Sequence, residues 1–231
     1  MQHRIIGNTM PVLEIGLDNG EKVFAESGEL AWLSSTVQMQ TSTSAGGQAS
    51  GFFATLGRVI SGGSLFMTEY TTEGGPGTVT FATKMPGQIQ RLDVSPEMTY
   101  MVHRHGFMCA VNGVQLEVGF QRKFGAGVFG GEGFTMQKIS GQGIAFVELY
   151  GEVITYDLAA GETMRCLPGF CGMFEQTVTM SVTTVPGLAN KLFGGDGIFL
   201  LALTGPGKIW LQSMTLPNLA HAISPYLPDE K

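Results

Sequence analysis

Residues 129–157, FGGEGFTMQKISGQGIAFVELYGEVITYD, decide how the chain is read. A glycine-rich opening leads to an apolar run, a Gly-x-Gly turn, a second apolar run and a closing acid. Glycine turns between short apolar runs are the pattern of antiparallel strands. The pattern recurs on both sides, as SGGSLFMTEYTTEGGPGTVTFATKMPGQIQRLD before it and FGGDGIFLLALTGPGKIWLQSM after it. Self-similarity at a fixed spacing marks a unit that cannot bury its apolar face alone and must stack against its copies.

Aligning the copies shows that each of these stretches is half of a unit. The front halves cover about 57–93, 124–157 and 191–222, and the back halves about 10–55, 94–120 and 158–190. Gly28, Gly106 and Gly169 open equivalent back halves, each followed by Val37-Gln38-Met39, Val114-Gln115-Leu116 or Val178-Thr179-Met180. Front halves begin at Leu65, Phe134 and Ile198 and turn at Gly77, Gly143 and Gly207. The first copy carries three extra residues in its turn, TTEGGPG. The chain therefore starts with an unpartnered back half and ends with an unpartnered front half. A half unit alone leaves an open strand edge, so residues near 10–55 are expected beside residues near 190–222, closing a ring.

Composition agrees with an all-β chain. Charged residues are 14% and glycines 34 of 231, which favours short strands and tight turns over helix or disorder. The length suits one domain spanning 1–231. Pro11 to Ser27 reads as a hairpin around Asp18-Asn19-Gly20, a turn too poor in acids to hold calcium. Residues 28–44, GELAWLSSTVQMQTSTS, give two strand-like runs. One helical turn each is expected in GFQRKFG and PGLANKLFGG, and the tail AHAISPYLPDEK reads as a loose end or an oligomer contact.

The net charge of −6 and a longest basic cluster of Arg122-Lys123 argue against nucleic acid as a partner. The most apolar run, Ile198 to Leu203, is too short to span a bilayer. Three cysteines without CxxC spacing fit a reducing compartment, and neither a signal core nor a transit segment is evident, so a cytoplasmic location is expected.

These residues resemble a known family, the bacterial relatives of the mitochondrial protein called altered inheritance of mitochondria protein 24. The matching features are PVLEIGL with VFAESGEL, the SGGSLFMTEYT block, MPGQI with its following LD, and the later GGEG and GGDG copies, so the likeness covers essentially the whole chain. It implies a fold like that of the tryptophan RNA-binding attenuation protein, akin to a double-stranded β-helix: three β-sandwich units with strands exchanged between them. It supplies no activity, cofactor or catalytic residue. The mitochondrial members' link to inner-membrane organisation suggests a scaffold role. RNA binding does not follow from such a fold without the basic residues.

Candidate chemistry is sparse. His103-Arg104-His105 would point two imidazoles to one face of a strand and could start a metal site, with Cys109 as a soft third ligand. The next copy reads Cys166-Leu167-Pro168 there, and a surface or pocket-lining pair is the simpler reading. Cys166 and Cys171 lack redox or metal spacing and read as packed free thiols. Gly125 to Gly130 matches GxGxxG, but the next residues read as glycine then strand, so no dinucleotide site is expected. Walker A, GxSxG and HExxH patterns do not occur. Glu132 and Asp196 occupy equivalent positions, as do Asp93 and Asp157; they could form a ligand or partner surface, although finishing β-turns explains them without one. The 13 methionines and 15 phenylalanines belong mainly to the core.

The expectation is an all-β protein of three pseudo-repeated sandwich units acting as a non-enzymatic binding or assembly module, without a cofactor. A protein partner or a homo-oligomer is left open. The alternatives are a small-ligand or glycan binder in clefts between repeats, and a metal-dependent enzyme using His103 and His105.

Overall fold

A computed structural model describes residues 1–26, 28–43, 66–111, 113–122, 134–184 and 199–227. Apart from one short helix and two 3-10 turns, its regular structure is antiparallel strand. The strands form four sheets. A first end sheet runs β1 (Gln2–Ile6), β2 (Val12–Leu17), β7 (Gly77–Ala82), β4 (Leu30–Leu33). A first interior sheet runs β5 (Val37–Thr43), β6 (Phe66–Thr72), β3 (Lys22–Glu26), β10 (Phe107–Val111), β13 (Gly143–Tyr150), β8 (Gly87–Val94). A second interior sheet runs β11 (Val114–Arg122), β12 (Phe134–Gly141), β9 (Tyr100–His103), β16 (Cys171–Glu175), β19 (Gly207–Gln212), β14 (Val153–Leu158). A last end sheet runs β15 (Thr163–Cys166), β18 (Phe199–Thr204), β17 (Thr179–Thr184).

The two interior sheets have the same strand order, displaced by six strands: β5 becomes β11, β6 becomes β12, and so on to β8 and β14. One further step turns β5-β6-β3 into β11-β12-β9 and then into β17-β18-β15, the last end sheet. One step back turns β10-β13-β8 into β4-β7-β2, the first end sheet with β1 added. Each interior sheet thus joins three strands from one segment of the chain to three from the next, whereas each end sheet is a single half. The register repeats as well. A bulge interrupts the pairing between Leu30 and Trp32, between Phe107 and Cys109, and between Cys171 and Met173.

Burial follows from this order. One core lies between the first end sheet and the first interior sheet, around Leu13, Ile15, Tyr70, Phe81 and Phe146. A second lies between the interior sheets, around Val102, Phe107, Ile139 and Met173. A third lies between the second interior sheet and the last end sheet, around Met136, Phe174, Leu201 and Leu203. Strand β2 alternates, with Leu13, Ile15 and Leu17 inward and Glu14 and Gly16 half-exposed, because its sheet covers a core on one face. Strand β13 is buried from Ala145 to Tyr150 without alternation, because its sheet is covered on both faces.

Three local expectations are corrected. The turn after β2 forms, with Glu21 N–H donating to the Asp18 carbonyl at 2.9 Å and Gly20 at φ +83°, but β2 and β3 do not make a hairpin. They enter different sheets, so that Leu17 and Val23 face each other across one core. Gly119 to Arg122 lie within β11 rather than in a helical turn. The tail, read as a loose end or an oligomer contact, is ordered at its start, within helix α1 (Leu216–Ile223) and the 3-10 turn Ser224–Tyr226. PGLANKLFGG, the GxGxxG match, Glu132 and Asp196 lie outside the described residues. No strand pairing joins the first and last end sheets among the described residues.

Candidate functional site

The ends of β3, β9 and β13 and the turn after β7 converge on a group of polar side chains that the sequence does not advertise. Glu29, just before β4, and Glu148, inside β13, have carboxylates 1% and 0% exposed. Lys84 reaches in from solvent, its ammonium hydrogen-bonded to Glu29 Oε1 and 3.4 Å from Glu148 Oε1. The Lys84 backbone N–H donates to Glu148 Oε2 at 3.0 Å. Glu26, at the end of β3, accepts from Gln137 Nε2 at 2.9 Å. Glu29 Oε2 and Gln137 Oε1 are buried without a hydrogen-bond partner among the described residues.

One ammonium therefore faces three carboxylates. Burial pushes the Glu29 carboxyl up to about 7, against the hydrogen bond and charge of Lys84 that hold it down. Glu148 and Glu26 are raised for the same reason. Burial pulls the Lys84 ammonium down, but its hydrogen bond to Glu29 and the charges of Glu29, Glu148 and Glu26 outweigh that and hold it above its ordinary value. The cluster keeps its cation and can take up a proton near neutral pH.

His103 adjoins this cluster. Its Nε2 is 3.0 Å from the Glu148 carbonyl oxygen, and its ring meets Tyr150 edge-on with centroids 4.9 Å apart. Burial lowers its pKa to about 4, so at neutral pH the ring is uncharged and Nε2 donates its proton to the carbonyl. Strand β9 ends at His103, and Arg104-His105 form the turn that follows, so the two histidines do not share one strand face. Cys109 lies in the core between the first end sheet and the first interior sheet, with no exposed surface. Among the described residues no group of three or more His, Cys, Asp or Glu side chains is placed to hold a metal ion.

Beyond His103 opens a cleft of about 300 Å³, floored by His103, Tyr150 and Gln212, walled by Phe134, Pro168 and Leu216 and rimmed by Arg104 and His105. The Gln212 side chain accepts from Tyr150 N–H and donates to the Gly169 carbonyl, both at 3.0 Å. Gln212 and Glu148 occupy the same position in successive copies, and each accepts the backbone N–H of a residue in the preceding copy. In the buried cluster this capping device carries a charge; in the cleft it is neutral. Thr135 Oγ1 lines the cleft and is buried without a partner among the described residues.

The remaining candidates are structural in their surroundings. Asp93 pairs with Arg91 at 2.6 Å. Asp157 stands opposite Lys208 in the ladder, and Asp93 opposite Ile144, equivalent positions on different sheets. Cys166 and Cys171 are free thiols sharing a hydrogen bond, which raises the Cys171 thiol and lowers that of Cys166.

The third feature is a pair of open edges. In the first interior sheet β10 pairs with β3, and in the second β16 pairs with β9. The corresponding strands of the end sheets, β4 and β15, each have a partner on one side alone among the described residues.

Fold and site together define an all-β protein of several antiparallel sheets, two of them with the same strand order, that encloses a network of buried carboxylates around Lys84. The chain belongs to the family described as Mitochondrial biogenesis AIM24, whose model matches residues 3–214. An uncharacterized protein of Streptococcus pyogenes serotype M6 is 26% identical over 223 residues, covering 94% of this chain and 87% of that protein. A crystal structure of a Streptococcus pyogenes protein from a structural genomics consortium superimposes with a TM-score of 0.74 at 22% identity, covering 98% of this chain and 99% of the other. The resemblance read from the glycine motifs is the family shown here. No enzymatic function is indicated by these relatives, and among the described residues no helix is long and apolar enough to cross a membrane.

Proposed function

We propose that the protein is a non-enzymatic assembly module, soluble and cytoplasmic, that joins protein chains by completing its own half sheets. One observation carries this reading. The fold builds both interior sheets by adding three strands to three, and it leaves an unfinished half at each end. An open edge is a template for another strand. The test places a photocrosslinking side chain at position 32 on β4 or 165 on β15, with exposed Lys208 on β19, a strand with a partner on each side, as the control position. Protein adducts at both edges and none at the control support the reading. Equal adducts everywhere, or none at the edges, overturn it.

A second reading, a small-ligand binder, is favoured by the cleft beside His103, where a buried Thr135 hydroxyl has no partner among the described residues, below a cationic rim. A ligand held there must raise the melting temperature. A library that moves the wild type and not Thr135→Val would identify the site.

A further inference from the structure

The carboxylate cluster and the cleft beside His103 occupy the same place against the two interior sheets, with opposite chemistry. The ladders set Leu30 opposite Phe81 and Phe107 opposite Val147, which makes Lys84 the counterpart of Tyr150 and Glu29 that of Gly106. Glu26 opposite Met67 and His103 opposite Met136 stand at equivalent rungs of β6 and β12. Glu148 corresponds to Gln212 through the backbone N–H that each accepts. One ammonium and three carboxylates in the first place become a phenol, a glycine, an imidazole and an amide in the second. Gly106 has no room for an acid, since a Cβ there would meet His103 Nε2 at 2.8 Å.

The exchange leaves the cleft with cations and without acids. Its lining includes Arg104 and His105, and among the described residues no Asp or Glu, in a chain whose net charge is −6. Glu26, on which the Arg104 charge also acts, does not line it. The floor supplies no competing charge. His103 is uncharged at neutral pH, and burial holds the Tyr150 phenol well above its ordinary value. The floor's donors are also engaged within the chain: His103 with the Glu148 carbonyl, the Tyr150 hydroxyl with the His105 carbonyl at 3.3 Å, and the Gln212 amide with the Gly169 carbonyl. Thr135 Oγ1 is the buried polar atom of the lining without a partner among the described residues. The Arg104 backbone N–H donates to the Thr135 carbonyl at 3.2 Å, so the hydroxyl and the guanidinium belong to residues in contact.

We infer that the cleft takes a small organic carboxylate, with its apolar body against Phe134, Pro168 and Leu216 and its carboxylate between Arg104 and the Thr135 hydroxyl. This rests on the small-ligand reading and names the ligand class. A guanidinium is always charged and pairs well with a carboxylate, and a buried hydroxyl donor completes the head-group site. The apolar walls and engaged floor disfavour a sugar or other polyol, whose many hydroxyls would be buried without partners. Size sets a further limit. With water's share of liquid volume at about 30 Å³, a cleft of about 300 Å³ holds a body of roughly ten non-hydrogen atoms.

Isothermal titration calorimetry on the full chain at neutral pH tests this with four probes: octanoate, 3-phenylpropanoate, and the neutral and cationic analogues 3-phenylpropanamide and 3-phenylpropylammonium. Both carboxylates should bind, the amide at least tenfold more weakly, and the ammonium more weakly still. Arg104→Gln should weaken the carboxylates at least tenfold and leave the amide unchanged, which separates lost charge from a damaged fold. Ala220→Trp, which fills the cleft from an exposed position on α1, should remove binding of all four. Equal affinity for carboxylate and amide, or carboxylate binding indifferent to Arg104→Gln, would overturn the inference while leaving the cleft a small-ligand site. Carboxylate binding that survives Ala220→Trp would overturn it by placing the site elsewhere. No heat from any probe at millimolar concentration would overturn it as well, and the library compared on wild type and Thr135→Val would then decide whether the small-ligand reading falls with it.

Discussion

The interior sheets and the end sheets are made of equivalent strands, yet they treat the same position differently. Cys109 and Met173, each just past the bulge of an interior strand, are fully buried, whereas Trp32, just past the same bulge in β4, is 56% exposed on a strand that pairs on one side alone among the described residues. Sequence type does not explain this, since Trp is more apolar than the Cys109 that occupies the buried equivalent. Position in the stack does. A strand with neighbours on both sides and sheets on both faces spends its apolar surface within the chain; an end strand holds it for something outside.

The widest separation between the two regions should appear on truncation. Phe107→Ala empties a fully buried site in the central core and should cost about 3–5 kcal/mol. Trp32→Ala should cost the dilute monomer less than about 1 kcal/mol, as surface changes do. Urea unfolding at low micromolar concentration measures both. Equal losses would mean that Trp32 is already buried in the monomer, and the contrast would fail.

A charge effect of about 3 kcal/mol should follow pH, because the Glu29 carboxyl sits at about 7 in the folded protein against an ordinary 4.5, and each unit is worth about 1.4 kcal/mol. The fold holds this proton more tightly than the unfolded chain, so the Glu29 contribution is full below pH 4.5 and is lost as pH rises to 7. His103 has the opposite sign. Its pKa falls from 6.5 to about 4, so its contribution is full above 6.5 and is lost as pH falls to 4. The two oppose each other between pH 4.5 and 6.5, with Lys84, Glu148 and Glu26 facing Glu29. Wild type should be nearly level there, and Glu29→Gln should lose stability steadily on acidification. A wild-type profile that falls as steeply as that of Glu29→Gln would show that Glu29 does not titrate in this window.

Lys84→Met should cost about 2 kcal/mol at pH 8, below the 3–5 of a fully buried pair because the Lys84 side chain is 40% exposed. The loss should shrink at pH 5, where Glu29 can take the proton. A loss that does not shrink would place the lysine's contribution in packing instead of charge.

The all-β class, the strand periodicity and the turn glycines were legible in the sequence because each is local or periodic. Gly141 illustrates this: it lies at φ +96°, and a Cβ there would meet the Gly113 carbonyl oxygen at 2.2 Å, so the hairpin closing β12 requires glycine. The partition of β2 and β3 into different sheets was not legible, since a tight turn looks the same whether its strands pair side by side or face each other. The carboxylate cluster was hidden for another reason. Glu26, Glu29, Lys84 and Glu148 come from separate strands and turns, and each is unremarkable alone. Glu148 carried the one signal that could have found it: a charge within Ala145 to Tyr150, an apolar run without alternation, has no solvent face to occupy and must have a buried partner. His103 was singled out, but the end of β9 at that residue depends on tertiary pairing and separates it from His105.

Helix α1 offers the smallest test, on the last element to join the stack. Its N-cap Thr215 accepts the Asn218 N–H at 3.2 Å, and none of its residues is buried. A helix that buries nothing adds little to global stability, whatever its cap is worth. Thr215→Ala should therefore cost about 1 kcal/mol of local helix stability. Amide exchange should speed up for residues 219–223 while β19 keeps its protection, and Thr215→Ser, which retains the hydroxyl, should restore the wild-type rates. If β19 exchanged faster as well, α1 would be part of the third core, and the boundary between the sealed interior and the provisional ends would have to move outward to include it.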